Sequence, residues 1–454
     1  MAGLPNLTIH QAPTSPNATY ADLIYVVSSP SSSFDQFKYV VDIRDLSGTT
    51  LYRGRQVPNG SGRGVFEIGK ILTAQMDYTP VTELSGSEFW FQSSNNNYRG
   101  FEVAFGYEFG TTPSSSLEFF EPAVSASTGG NFKVLPAVVE RDAGYFNFPS
   151  ESFASGTLLT NMPSPPYAGF NTTLDEASIA SAHEIYEGDI YTVSTLSDSS
   201  FNWNGGGFAL PQNQQWRFVV YDATGVKRID KSAFANNTPL TASYTVDSVD
   251  SMLTYFRFGY SHLISNFPDL FVSGGQYLTS SVDYPYYGIA MFPGLGSNVV
   301  KISQTLLFHV NACDPYDHVR FVFINKYGVY DYYSANKMKK EQERIERESY
   351  SKSYIPYDNP TNQVQYQADA RGVTNWYNTF ENIHTVETDY VSKATSEWLM
   401  ELFESPQVYI QDGDDYIPVV ITNTREKIKS LAPADKVFKY TISYRYANRK
   451  RSRS

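Results

Sequence analysis

The sequence predicts an all-β-dominated fold, made of several β-sandwich-type modules with one short helix near the C-terminus. Three observations predict it. Apolar and polar residues alternate with a period of two, turn-forming clusters separate the alternating stretches, and aromatic residues make up 15% of the 454 residues. Alternation buries one face of a strand and leaves the other in water, and aromatic and β-branched side chains suit that half-buried surface. Many short strands between frequent turns are typical of sandwiches and barrels.

The alternation is clear at both ends of the chain. Residues 37–43 place aromatic or β-branched side chains at every second position, and residues 438–446 repeat the pattern. Stretches rich in Gly, Ser and Asn lie between such segments, for example at residues 59–64 and 204–207. These stretches are predicted to be turns.

Composition narrows the class of protein. The chain has 35 Lys and Arg against 47 Asp and Glu, a net charge of -12, which argues against a surface that coats nucleic acid. Its apolar runs, such as 23–27 and 321–324, stop far short of the roughly 20 residues that span a bilayer. We therefore expect a soluble, globular chain of two to four domains.

Cysteine usage and the N-terminus add two expectations. Cys313 is the single cysteine in the sequence, so no intrachain disulfide and no cysteine-bound zinc or iron–sulfur centre is expected. This usage is compatible with assembly in a reducing cytoplasm. Residues 1–8 show neither a basic nor an apolar signal region, so no secretory signal is visible.

Approximate domain boundaries near residues 125 and 300 divide the chain into three predicted parts. We predict an N-terminal β-sandwich module over 1–125, a middle β-rich domain of unassigned role over 126–300, and a C-terminal β-rich module over 301–454. The last part is predicted to contain an extended arm over 331–380 and a helix followed by a hairpin over 392–421.

A weak internal repetition links these parts. Residues 37–41, 216–220 and 319–323 each have the pattern of a strand, and each strand leads to a glycine: Gly48, Gly225 and Gly328. Each glycine is predicted to occupy a turn that needs a positive φ. The repetition has two interpretations, a duplicated module and the chance recurrence of a common strand pattern in a β-rich chain.

The predicted helix and arm lie in the C-terminal third. Ser392 can cap a helix, Trp398 and Leu402 recur at helical spacing, and Pro406 ends it. The charged run 337–348 has two interpretations, a solvated helix and an extended arm that follows a strand. The segment after it is poor in aliphatic residues but rich in tyrosine, which suggests docking on a neighbour.

No catalytic or metal motif stands out. Residues 259–263 resemble a nucleophile elbow, but Leu263 replaces its final glycine, and we interpret the segment as a strand end. The six histidines show no metal-ligand spacing, and residues 412–415 fit a hairpin turn better than a calcium loop. Paired carboxylates for glycoside hydrolysis need only proximity in space, so sequence selects no pair among 47 acids. We expect no enzyme activity, cofactor or metal.

The C-terminal tail is strongly basic. Arg449, Lys450, Arg451 and Arg453 follow Arg445 within ten residues. The tail has two interpretations, a solvated tail and a contact with an acidic neighbour or with DNA. The aromatic residues are likewise open to two interpretations, sugar stacking and a role in cores and interfaces, and their alternating positions favour the second.

Several stretches resemble a known group of proteins. They are residues 309–331, with Val-Arg-Phe-Val-Phe-Ile-Asn-Lys-Tyr-Gly; residues 388–410, with Glu-Trp-Leu-Met-Glu-Leu-Phe-Glu-Ser-Pro; residues 417–423; the strand 438–444; and residues 37–72. Together they resemble virion proteins of tailed bacteriophages, and are most similar to tail and collar proteins of crAss-like and related phages. The resemblance covers about half of the chain and none of the middle part.

The resemblance implies a non-enzymatic structural protein that forms a ring or hub in the phage tail or collar. Such a protein assembles in the bacterial cytoplasm and binds its own copies and other virion proteins. Candidate interface residues are Tyr350, Tyr354, Tyr357, Tyr366, Trp376, Tyr377, Arg449, Lys450, Arg451 and Arg453.

Two other functions stay open at this point. A host-attachment tail protein that binds glycans would expose aromatic clusters on loops, for example around Phe201, Trp203 and Phe208. A virion enzyme that cleaves polysaccharide would need two carboxylates at a set separation in a cleft.

Overall fold

A computed structural model of the chain describes most of its length. It covers residues 7–13, 15, 17–76, 80, 91–93, 97–110, 112–114, 116–125, 132–137, 158–164, 171–196, 214–232, 253–293, 303–313, 317–351, 357–358, 360, 363–364, 372–413, 415–423, 437–447 and 451–452. Strands in several sheets dominate these residues, which confirms the predicted all-β fold class. The boundaries near residues 125 and 300 stay predictions.

The chain divides into two compact units. Unit 1 comprises Met1–Cys313, Val322–Tyr333 and Ala394–Pro406, and unit 2 comprises Asp314–Phe321, Ser334–Lys393 and Gln407–Ser454. No described helix is both long enough and apolar enough to cross a membrane.

Unit 1 consists of short elements. The strands are β1 (Thr8–Gln11), β2 (Asn17–Ala18), β3 (Ile24–Ser28), β4 (Asp35–Arg44), β5 (Thr50–Gln56), β6 (Arg63–Glu67), β7 (Phe91–Ser93), β8 (Arg99–Gly110), β9 (Glu118–Ser125), β10 (Phe132–Leu135), β11 (His183–Tyr186), β12 (Thr192–Leu196), β13 (Gln214–Tyr221), β14 (Lys227–Ser232), β15 (Leu253–Arg257), β16 (Val272–Ser273), β17 (Gln276–Tyr277), β18 (Tyr286–Pro293), β19 (Leu306–Asn311), β20 (Val319–Ile324) and β21 (Tyr330–Ala335). The α-helices among the described residues are α1 (Gly69–Thr73), α2 (Glu176–Ala180), α3 (Tyr260–Asn266) and α4 (Lys393–Glu404), and Pro30–Ser33 and Pro268–Phe271 are 3-10 helices. Two of these strands and one of these helices, β20, β21 and α4, also include a few residues that belong to unit 2.

Unit 2 contains the remaining described strands. They are β22 (Lys339–Ser351), β23 (Tyr357–Asp358), β24 (Gln363–Val364), β25 (Val373–Glu387), β26 (Val391–Ser392), β27 (Val408–Asp412), β28 (Asp415–Ile421), β29 (Val437–Phe438), β30 (Thr441–Tyr446) and β31 (Arg451–Ser452). Five of these strands follow one another in the order β27-β28-β30-β25-β22, and β31 also pairs with β25.

The first part of unit 1 is a two-sheet sandwich. One sheet has the order β1-β3-β6, and the other has the order β2-β10-β8-β4-β5 with β9 paired to β8. Tyr25 of β3 and Phe105 of β8 place their ring centroids 5.4 Å apart in the core. Because side chains alternate between the faces of each strand, the aromatic positions of both sheets meet in one apolar layer.

A second pair of sheets follows in unit 1. Their orders are β11-β19-β18-β13-β14 and β12-β15-β7, and β11 pairs with β19 in parallel. Tyr287 of β18 stacks on Phe308 of β19 with ring centroids 4.8 Å apart. The Tyr287 hydroxyl donates a hydrogen bond to the carbonyl of Phe258, just after β15. A buried tyrosine needs such a partner for its hydroxyl.

The three predicted strand-and-glycine segments are all hairpins. Gly48, Gly225 and Gly328 have φ values of 83°, 80° and 80°. In each hairpin the residue three positions before the glycine accepts its N–H. The prediction of a positive-φ glycine turn is therefore confirmed in all three. The structure shows the same turn three times, which both interpretations of the repetition allow.

The predicted helix and hairpin in the C-terminal third are confirmed. Helix α4 buries Trp398, Leu399 and Leu402 and ends before Pro406. Strands β27 and β28 pair in antiparallel register, with Gly413 at positive φ in the turn. Of the two interpretations of residues 337–348, the structure supports the extended one, because Lys339–Ser351 is a single strand.

Candidate subunit-interaction site

The longest ladder in the described residues is formed by β22 and β25. From here on we call this ladder the arm; its bounds differ from those of the arm predicted over 331–380. Its antiparallel register runs from Lys339 opposite Val386 to Ser351 opposite Val373. Thirteen residues of β22 take part, which corresponds to a length of about 44 Å. The arm is therefore comparable in length to a whole domain of ordinary size.

Strand β22 lies at the edge of its sheet and is exposed throughout. Every one of its 13 residues is exposed. Among the residues that the structure describes, its outer edge has no strand partner, because β22 is the last strand of its sheet. An unpaired edge presents a row of backbone N–H and C=O groups to any strand that approaches it.

The base of the arm is anchored by β30. His384 of β25 lies opposite Tyr444 of β30, and their rings stack with centroids 5.2 Å apart. Val386 and Ile442 are opposite each other and are both buried. Arg445 donates a hydrogen bond to Glu381 at 2.5 Å. These contacts hold the inner part of β25, so the arm leaves the sheet in a defined direction.

The far end of the arm carries a β-bulge and three exposed apolar residues. Glu348 lies opposite Tyr377 and Ser349 lies opposite Asn375, so Trp376 is the extra residue of β25 between them. Tyr350, Val373 and Trp376 are 48%, 60% and 63% exposed, and we call these three residues the arm tip. Large exposed apolar side chains of this kind suit a protein interface.

The arm brings together three of the residues that the sequence singled out. Tyr350, Trp376 and Tyr377 lie within a few residues of one another around the bulge. Tyr357 lies in β23 opposite Val364, and Arg451 lies in β31 opposite Thr379 of the arm. The structure describes the backbone at Tyr357, Tyr377 and Arg451.

The other predicted interface residues lie outside the described residues: Tyr354, Tyr366, Arg449, Lys450 and Arg453. The aromatic cluster of Phe201, Trp203 and Phe208, on which the glycan-binding alternative depends, lies outside them as well.

Sequence reasoning missed Ile345 and Val373, which are 41% and 60% exposed on the arm. Ile345 lies in the middle of the charged run and Val373 lies where β25 begins. The signal for Ile345 was present, since it is the single apolar residue within eleven positions of charged and polar residues (339–349). The sequence alone did not show that this run is a strand, so the position of Ile345 within it could not be interpreted.

Unit 1 contains a buried acidic cluster that sequence reasoning also missed. Asp331 is 3% exposed, and its Oδ2 accepts hydrogen bonds from Trp398 Nε1 at 2.7 Å and from Thr160 Oγ1 at 2.9 Å. Burial, together with the charge of Glu401, raises the pKa of Asp331 to about 7. Burial also raises the pKa of Glu401, which accepts hydrogen bonds from Asn161 and from the backbone N–H of Lys326.

The acidic cluster fits a structural role better than a catalytic one. Asp331 is buried and Glu401 is half-buried, and both carboxylates already accept hydrogen bonds from the surrounding side chains and backbone. A general acid or base must come within hydrogen-bond reach of the group it serves. We interpret the cluster as a polar network that links segments of unit 1.

The segment that resembles a nucleophile elbow has a different structure from the predicted strand end. Strand β15 ends at Arg257, and Ser261 lies in the first turn of α3, so the prediction of a strand end was wrong. The Ser261 hydroxyl donates to the carbonyl of Glu187. Ser261 has no positive φ, whereas an elbow holds its serine on a sharp, strained turn.

Within the described part of the chain, no group of three or more His, Cys, Asp or Glu residues is placed to hold a metal ion. Cys313 is exposed and is a free thiol.

Comparisons with known proteins do not assign the chain to a family. No family model and no curated protein matches it. Among solved structures, it is similar to the crystal structure of a point mutant of Salmonella alpha-2-macroglobulin, with 9% identity and a TM-score of 0.17. That comparison covers 100% of this chain and 21% of the macroglobulin, so the chain spans about a fifth of the other protein's length. The TM-score is too low to carry an argument about fold or function.

Proposed function

We propose that this chain is a non-enzymatic structural subunit of a bacteriophage virion, located in the tail or collar and assembled into a ring or hub through contacts between subunits. The arm is the observation that carries the proposal. It extends about 44 Å, its outer strand is exposed along its whole length, and it ends in an exposed apolar tip.

The arm is better suited to assembly than to the stability of a lone subunit. An isolated two-stranded ladder is marginally stable at best in water, and it gains stability when a third strand or another surface packs against it. The outer end of the arm, from Glu348 to Ser351, lies beyond the pairing of β31 with β25 and is exposed. A neighbouring subunit would supply the missing contact.

The basic tail provides a second candidate contact. Arg451 lies beside the arm, opposite Thr379, on the edge of β25 that faces away from β22. The residues around it would meet an acidic surface of a neighbouring virion protein, or packaged DNA.

The proposal is tested by the mass of the purified full chain in solution, measured by light scattering at two concentrations. A large, discrete oligomer whose averaged electron-microscope images show a closed ring is the expected result. A stable trimer would favour the host-attachment alternative, and glycan binding would then be measured. A monomer at both concentrations, which also fails to bind other virion proteins in a pull-down, would overturn the proposal.

A further inference from the structure

The charged residues of β22 form a pattern that is complementary to itself. The strand reads Lys-Lys-Glu-Gln-Glu-Arg-Ile-Glu-Arg-Glu-Ser-Tyr-Ser, and Ile345 is its central residue. If two copies of the strand lie antiparallel with Ile345 opposite its own copy, Arg344 faces Glu346 of the second copy and Glu343 faces Arg347. Each of these pairs occurs twice because the arrangement has two-fold symmetry.

Registers shifted from it by one or two residues lack this property. A shift of one residue in one direction places Glu343 opposite Glu346, and a shift in the other direction places Arg344 opposite Arg347. A shift of two residues places either Arg344 or Glu346 opposite its own copy. Like charges directly opposite each other destabilise a strand pair, whereas opposite charges stabilise it.

We propose that the exposed edge of β22 pairs with β22 of a second copy of this chain, in the antiparallel register centred on Ile345. The inference rests on the proposed function in taking the arm as a contact between subunits. The partner strand comes from a second copy of this chain, because the centred register overlaps all 13 residues, opposes no like charges and places the apolar Ile345 against its own copy on the two-fold axis.

Charges on an edge strand commonly block pairing, and in β22 they select a partner instead. Proteins place charged residues on edge strands to prevent indiscriminate addition of other strands. Arg344 and Glu346 already form an ion pair within one chain at 2.9 Å, on the same face of the strand. In the centred register this pair meets its own copy with opposite charges aligned, so the pattern rejects most strands and accepts itself.

A cysteine placed on the axis tests the register. In a Cys313→Ser background, the Ile345→Cys variant is expected to form a disulfide-linked dimer on mild oxidation, because residues directly opposite in a ladder have Cβ atoms about 5 Å apart. The matched control is Glu343→Cys, whose copy lies four residues away in this register, at roughly 13 Å. That variant should stay monomeric on a non-reducing gel, and it should cross-link when mixed with Arg347→Cys.

Charge reversal tests the complementarity independently of disulfide geometry. The double variants Glu343→Lys with Glu346→Lys and Arg344→Glu with Arg347→Glu should each weaken self-association by at least about tenfold, since four favourable pairs become unfavourable. A mixture of the two should restore it, because all four pairs are again opposite in charge. All four positions lie on the exposed strand, so unfolding midpoints should stay unchanged.

The outcomes separate this inference from the proposed function. Equal cross-linking of Ile345→Cys and Glu343→Cys, or charge variants that associate as the parent does, would overturn the pairing. If the parent still forms a large closed oligomer in that case, the structural-subunit proposal stands. A cross-linked pair that never exceeds a dimer would support the pairing and count against the ring.

Discussion

Trp398 donates its indole N–H to the buried carboxylate of Asp331 across 2.7 Å. The bond joins helix α4 to strand β21 inside unit 1, and Thr160 donates to the same carboxylate oxygen. A buried tryptophan requires a partner for its N–H, and a buried carboxylate requires donors. The two residues therefore satisfy each other and fix how the predicted helix packs.

Asp331→Asn is expected to change how the stability of unit 1 depends on pH. The pKa of Asp331 rises from 3.8 to about 7 in the folded chain, chiefly because of burial. The folded state then binds the proton more tightly than the unfolded state, so the free energy of unfolding falls as the pH rises from about 4 to about 7 and levels off above. Asparagine cannot lose that proton, so the variant should lack this decline.

Urea unfolding at pH 5, 6.5 and 8 provides the measurement. The free energy of unfolding of Asp331→Asn minus that of the parent chain should be greater at pH 8 than at pH 5. Glu404→Gln, an exposed change at the end of the same helix, is the control and should follow the parent. A difference between Asp331→Asn and the parent that is the same at all three pH values would contradict the prediction.

Gly328→Ala is expected to destabilise the chain much more than Gly48→Ala. Both glycines have φ near +80°, so an alanine at either position is strained by about 1–2 kcal/mol. A Cβ at Gly48 meets nothing within 4 Å, whereas one at Gly328 would lie 2.8 Å from the backbone nitrogen of Ala137. We expect a loss of about 1 kcal/mol for Gly48→Ala and more than about 3 kcal/mol for Gly328→Ala.

Thermal or urea unfolding of the two variants side by side measures this difference. Because the turns share their φ and their hydrogen bonds, the difference isolates the close approach at Gly328. Equal losses would show that the backbone near Ala137 moves aside.

Elements with a local signal were predicted from the sequence, and elements fixed by distant partners were not. The glycine turns and helix α4 depend on residues within a few positions, so their patterns were sufficient. Residues 337–348 were ambiguous because their charges also suit ion pairs along a helix. Pairing with β25, about 40 residues away and rich in Thr, Val, Ile and aromatic residues, makes the run a strand.

The candidate site likewise has parts that the sequence predicted and parts that depend on contacts between distant residues. Tyr350 was singled out because aromatic residues in a segment with little core of its own suggest docking, and Trp376 was a candidate interface residue of the predicted arm, but their proximity depends on the register of the arm. The contact of Asp331 with Trp398 joins residues 67 positions apart, which sequence spacing does not indicate. Ile345 could be interpreted as a contact residue once the run around it was known to be an exposed edge strand.

His384→Phe is expected to stabilise unit 2. His384 is buried against the rings of Tyr444 and Tyr446, and no described residue forms a hydrogen bond with either of its ring nitrogens. Replacing an unsatisfied buried imidazole by a ring of similar size removes that penalty, and we expect a gain of about 1–2 kcal/mol.

The gain from His384→Phe should grow as the pH falls. Burial lowers the pKa of His384, with Lys339 acting in the same direction and Glu341 opposing it. The unfolded state then takes up a proton near pH 6.5 while the folded state does not, so the parent loses stability below that pH and the variant does not. Urea unfolding at pH 5.5 and pH 8 measures the gain, with the exposed His10→Phe as control. A loss of stability, or a gain that shrinks at pH 5.5, would refute this account.

Substitutions at the arm tip are expected to weaken assembly without affecting folding. Tyr350→Thr and Trp376→Thr each remove a large exposed aromatic side chain from the arm, and threonine keeps the preference for a strand. If the tip anchors a neighbouring subunit, each change should weaken association by roughly 1–3 kcal/mol, with unfolding midpoints unchanged. Light scattering over a dilution series measures this. Tyr390→Thr is the matched control, because Tyr390 is 69% exposed in unit 2 but lies outside the arm. Equal effects of all three substitutions would show that the arm tip is ordinary surface, since only a contact specific to the arm separates Tyr350 and Trp376 from Tyr390.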